Sequence, residues 1–124
     1  MRTAGGVDLS WLAARPGSGG DRGDLGVDDV GLTREQLLDL YYHLRLTRTL
    51  EERIGILYRQ GKIYGGVYLS TGQEAVSVGG AAALEPEDII LPSHRDLGAH
   101  LLRGIQPREV LAQYLGRIGG LTRG

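Results

Sequence analysis

Leu37, Leu40, Leu44, Thr47, Leu50, Ile54 and Leu57 recur at steps of three and four through the middle of this chain. That spacing is one continuous helical stripe, and it constrains the fold more than any other feature. Thr33 followed by Gln36 is a capping-box signature, which starts the helix at residue 34. Gly61 supplies its C-terminal cap. Leu38, Leu46 and Ile56 lie off the stripe, so more than one face of the helix is expected to be covered. A helix of this length, buried on two sides, needs more partner surface than a chain of 124 residues provides. Gly55, inside it, costs about 1 kcal/mol against alanine, and a close backbone contact would account for keeping it.

Residues 1–31 have a different character. They hold eight Gly, Pro16, five Asp and three Arg, with aperiodic apolar residues, Trp11 among them. Such a segment cannot bury enough surface to offset its chain entropy, and it is expected to be a disordered Gly/Asp-rich leader. Beyond the long helix, Lys62 to Leu69 is a turn-rich connector. Thr71 followed by Glu74 is a second capping box, opening a helix over roughly residues 72–84. Its small residues, Ala75, Gly79 and Ala82 on one face and Val76, Gly80 and Ala83 on another, predict burial. Asp88-Ile89-Ile90-Leu91, bounded by Pro86 and Pro92, predicts a short buried strand. A helical stretch from Leu97 to Arg103 stops at Gly104, and Pro107 opens a final helix to about Gly116.

Composition narrows the function classes. With 14 basic and 15 acidic residues the net charge is −1, which gives no nucleic-acid footprint. The absence of cysteine excludes disulfides, zinc–thiolate sites and a cysteine nucleophile. No run approaches the ~18 apolar residues of a membrane span. No signal-peptide pattern opens the chain, so a cytoplasmic protein is expected.

Two segments can carry chemistry. Ser93-His94-Arg95-Asp96 directly follows the predicted strand, where open α/β proteins place ligands. An Arg beside a His there can hold a diphosphate by charge-assisted hydrogen bonds, or Arg95 can simply pair with Asp96 on the surface. Tyr68 to Glu74 is a polar loop leading into the small-residue helix, whose capping box already uses some of the N–H groups that would bind an anion. His43 and His100 lack partners at metal-ligand spacing and are expected on helix surfaces.

Four stretches together identify a family. They are Leu46-Thr47-Arg48-Thr49-Leu50-Glu51-Glu52-Arg53, Tyr58-Arg59-Gln60-Gly61-Lys62-Ile63, Leu69-Ser70-Thr71-Gly72-Gln73-Glu74-Ala75 and Ser93-His94-Arg95-Asp96-Leu97-Gly98. In this order and spacing they resemble the alpha subunit of the thiamine-diphosphate-dependent 2-oxo acid dehydrogenase component, the group that includes pyruvate, branched-chain 2-oxo acid and acetoin dehydrogenases. The resemblance covers Leu32 to Gly124. It implies an α/β fold, with residues 32–124 as the truncated N-terminal portion of a thiamine-diphosphate-binding domain. That portion would be mostly helical with one short buried strand.

The resemblance also implies a function. The complete enzyme, with a beta subunit, decarboxylates a 2-oxo acid and transfers the acyl group to a lipoyl-bearing acyltransferase. His94 and Arg95 occupy the two places whose residues contact the diphosphate in relatives. Tyr68 stands where pyruvate-type members usually carry a substrate-contacting His. A neutral phenol does not replace imidazole as an acid or base near pH 7, which argues against pyruvate. The family's Gly-Asp-Gly segment and downstream Asn, which hold magnesium on the diphosphate, are not in this sequence. Without them a bound diphosphate keeps its charge unscreened, so the chain alone is expected to be inactive. Because much of its apolar surface needs missing partners, it is also expected to be only partly ordered or to aggregate. The rival expectation is a non-catalytic helical interaction module built on the same long helix.

Overall fold

A computed structural model of the protein describes residues 30–123, so the leader expected over residues 1–31, Trp11 included, lies outside the described residues except for its last two. Thr33 starts the first element. Its hydroxyl accepts the Gln36 N–H at 3.3 Å, while the Gln36 side chain accepts the Thr33 N–H at 2.7 Å. Helix α1 then runs Arg34–Arg59 for 26 residues. It ends as Gly61 requires: Lys62 N–H reaches Leu57 O at 3.0 Å, Gly61 N–H reaches Tyr58 O at 2.9 Å, and Gly61 takes a φ of 68°. This double closure satisfies two carbonyls that the helix leaves without partners. Gly104 and Gly116 close two later helices in the same way.

Three short helices pack around α1: α2 (Glu74–Ala82), α3 (Leu97–Leu102) and α4 (Pro107–Tyr114). Helices α2 and α3 pack on each other and on α1, and α4 rests on α1 alone among these larger contacts. Pro107 occupies the first turn of α4, and Glu109 reaches back to the Gln106 N–H at 2.8 Å. The main core joins Leu50, Ile54 and Leu57 of α1 to Ile63, Leu101 and Val110. A smaller cluster gathers Ala81, Ala99 and Leu102. Gly98 lies where three helices meet, since a Cβ there would sit 2.5 Å from Ser77 Oγ, 2.7 Å from Val78 Cγ2 and 3.2 Å from Thr47 Oγ1. Gly55 keeps a looser close approach, 3.1 Å from the Leu69 side chain at Cδ1 on the same test.

Several expectations are corrected. No strand forms among the described residues, and the segment from Asp88 to Leu91 is irregular and mostly exposed. Its alternation is that of a strand, with Ile90 against the small cluster, but Ile89 and Leu91 are 90% and 95% exposed. No neighbouring strand takes up its backbone groups; the Arg103 guanidinium instead donates to Pro86 O and Asp88 O. The mostly helical character is as expected, the short buried strand is not.

Helix α2 starts at Glu74, later than its capping signature implied, because the Glu74 side chain is engaged elsewhere and Thr71 makes no cap. Its buried face is Ser77, Val78 and Ala81, whereas Ala75, Gly79, Gly80 and Ala83 are exposed and Val76 is 74% exposed. Helices α1 and α3 can cover only one side of it. On α1, Leu46 joins the core but Leu38 and Ile56 face solvent. His43 is buried rather than on the surface, with Nδ1 3.0 Å from Asp39 O and 3.6 Å from the Asp39 carboxylate.

Candidate functional site

The corner from Tyr68 to Glu74 is gripped from α1 by two residues of opposite charge. Glu51, 1% exposed, accepts the Ser70 N–H with both carboxylate oxygens, at 3.0 and 2.9 Å, and also the Ser70 hydroxyl. One turn earlier, Arg48 donates through Nε and a terminal nitrogen to the two oxygens of Glu74, at 2.5 and 3.0 Å. The Gly72 N–H adds bonds of 3.1 Å to the same carboxylate. The Arg48 fork, and less strongly the backbone N–H groups, hold the Glu74 carboxyl down at about 2 against the opposing effect of burial. Arg48 is correspondingly raised, first by its bond to Glu74.

The folded pKa of Glu74 lies below its ordinary value of 4.5, so its pair stabilises the fold fully above that value. The contribution is lost as pH falls toward about 2, where the native carboxylate protonates. The stability difference between the natural chain and Glu74→Gln, measured by denaturant unfolding, should therefore be constant near neutrality and vanish across that acid window. A difference that keeps its full neutral-pH size down to pH 2 would disprove the ion-pair account.

The second loop carries Ser93 to Asp96. Asp96 Oδ2 accepts the Ser93 N–H at 2.7 Å and its hydroxyl at 2.8 Å, and these bonds lower the Asp96 pKa. The Arg95 N–H in turn donates to Ser93 Oγ at 3.4 Å. Asp96 is thus folded back on Ser93 instead of pairing with Arg95. Both His94 and Arg95 are exposed, and among the described residues the Arg95 guanidinium has no ion pair. The His94 ring lies against Tyr68, ring centroids 4.8 Å apart at 39°.

Tyr68 and His94, read from separate stretches of sequence, are therefore in contact, and Arg95 follows His94 in the same exposed loop. His43 and His100 do not join it, and among the described residues no three His, Cys, Asp or Glu gather where a metal ion could be held. Sequence reasoning passed over Glu51. The available signal was a carboxylate one turn after Thr47 on an otherwise apolar stripe, which implies a buried donor waiting for it. Tyr114, half-buried near that carboxylate, is raised by burial first and by the Glu51 charge second. No helix among the described residues is long and apolar enough to cross a membrane.

The pyruvate dehydrogenase E1 component subunit alpha of Zymomonas mobilis is 44% identical over 92 residues, covering 73% of this chain and 26% of that protein. The subunit of the same name from Rhizobium meliloti is 41% identical over 92 residues, 74% of this chain and 26% of its own. The testis-specific mitochondrial form of Rattus norvegicus is 39% identical over 93 residues, 75% and 24%. The chain thus spans about a quarter of the length of these curated relatives. Chloroplastic, mitochondrial and bacterial proteins all occur among them, so likeness to them does not by itself select the cytoplasm. A family model described as the dehydrogenase E1 component matches residues 42–124, well over half of the sequence, and the chain belongs to that family.

Proposed function

We propose that this chain supplies the diphosphate side of a thiamine diphosphate site in a 2-oxo acid dehydrogenase. The observation that carries the reading is Arg95: exposed, without an acid partner among the described residues, and next to a carboxylate already committed to Ser93. A guanidinium so placed can present two parallel N–H groups to an oxyanion. His94 adds a ring donor beside it, and Tyr68 backs that ring. When bound, the cofactor supplies the carbanion chemistry by which a 2-oxo acid is decarboxylated. This chain's own part is to neutralise and orient the anion.

The residues on this surface fit a diphosphate. They do not fit magnesium, since the described residues gather no donor set for it, and no step here runs through the metal. A beta subunit is proposed to complete the site and a lipoyl-bearing acyltransferase to take the acyl group. Support for both comes from relatives named as the alpha subunit of one component. The family match over the long helix weighs against a free-standing interaction module.

Calorimetric titration of thiamine diphosphate with magnesium, into the chain alone and with a beta subunit of the family, tests the proposal. Binding is expected with the beta subunit, and Arg95→Ala should weaken it by about 2 kcal/mol, roughly thirtyfold, for the loss of charge-assisted bonds. Absence of binding in both settings, or undiminished binding by Arg95→Ala, would refute it.

A further inference from the structure

Glu51 is the most deeply buried charged side chain among the described residues, and the diphosphate reading gives it no task. A carboxylate is costly to bury, and an aliphatic residue would serve the α1 core at less cost. What the carboxylate gains is Ser70: both of its oxygens take the Ser70 N–H, and one takes the hydroxyl. Ser70 lies two residues after Tyr68, so this clamp fixes the backbone that carries the Tyr68 ring. Gly66 floors the ring on one side, for a Cβ there would come within 3.0 Å of Tyr68 Cε2 and 3.4 Å of its hydroxyl oxygen. His94 meets it on another, and the His94 loop is itself tied by the Ser93–Asp96 bonds.

We infer that Glu51 is a positioning residue: through Ser70 it fixes Tyr68 against His94, the residue that precedes Arg95. Its consequence for ligand binding rests on the diphosphate reading above, whereas the geometry stands without it. The Arg48–Glu74 pair grips the far side of the same corner and provides a control of similar structural weight.

The test is NMR of the full chain with labelled histidine, which has only three such residues to resolve. The His94 ring protons are expected to be shifted upfield by the Tyr68 ring, and Tyr68→Leu should abolish that shift. Glu51→Ala should remove most of it. Glu51→Gln should keep it, because the amide oxygen still accepts the Ser70 N–H and the hydroxyl can turn to accept the amide. Glu74→Gln should leave it in place even where it destabilises the fold as much. Should Glu51→Ala fail to fold, Ser70→Ala, which keeps the N–H bonds, should lose part of the shift.

An unchanged shift in Glu51→Ala overturns the inference, as does an unchanged shift in Ser70→Ala where Glu51→Ala does not fold. Equal loss in Glu74→Gln overturns it too. In the calorimetric assay with the beta subunit, Glu51→Ala should weaken thiamine diphosphate about tenfold, while Glu51→Gln stays near the natural chain. If the natural chain binds none, the diphosphate reading fails while the His94 shift still decides the role of Glu51.

Discussion

Gly98→Ala is expected to cost about 3 kcal/mol of stability, at the upper end of what an overpacked methyl group does. The added carbon would lie 2.5 Å from Ser77 Oγ and 2.7 Å from Val78 Cγ2, and neither neighbour gives way easily. Val78 is β-branched and buried on the inner face of α2, so its χ1 has essentially one setting. Ser77 is buried and its hydroxyl is bonded to Glu74 O at 3.2 Å. Thr47, third in the ring of contacts, is fully buried, with its hydroxyl on His43 O at 2.7 Å. Relief can come only from moving α3 off α1 and α2, which opens the core. Denaturant unfolding followed by helical circular dichroism measures the loss, and in a thermal scan each kcal/mol moves the midpoint by about 4–8 °C. A change below about 0.5 kcal/mol, the scale of ordinary surface substitutions, would show that the three helices do not meet at this glycine.

Ile54→Ala should cost still more, about 4 kcal/mol, by the opposite route. Ile54 is fully buried in the main core, so truncation removes three carbons and leaves a void. The transfer loss is about 0.8 kcal/mol per carbon, and the unfilled cavity adds the rest. Ile56, two positions later, points outward at 37% exposure and is the internal control. Its alanine variant should stay within about 0.5 kcal/mol of the natural chain. Equal losses at both positions in the same unfolding assay would mean that α1 is rotated from the orientation described.

These two residues also illustrate what the sequence could and could not convey. Ile54 was legible because its place on the stripe depends only on helical period, and the Thr33 and Gly61 ends were legible because caps are local chemistry. The Thr71 cap misled because Glu74 answers to Arg48, 26 residues earlier, instead of to its own helix start. Asp88 to Leu91 carries a strand's alternation, but a sheet requires a neighbour, which no local pattern supplies. Small residues on α2 announced close packing without saying which face would receive it. In the proposed site, Tyr68, His94 and Arg95 were each visible singly. The contact of Tyr68 with His94, and the bond from Ser70 to Glu51 across 19 residues, are visible only once the chain has folded back.

The closure at Gly61 and the clamp at Ser70 together define a length. From Glu51 to Arg59 the helix climbs eight steps, about 12 Å at the usual rise. The return from Lys62 to Ser70 is also eight steps, but an extended chain covers roughly 26 Å in that number. The returning segment therefore has about twice the contour it needs, and the surplus goes into the bend at Gly65, which takes a φ of 100° beside a Tyr64 that is 91% exposed. Both ends of the segment are pinned, and Ile63, Val67 and Leu69 hold it against the main core. The surplus is therefore taken up between the buried Ile63 and Gly66, which lies against the Tyr68 ring, so the slack of the return is confined to Tyr64 and Gly65.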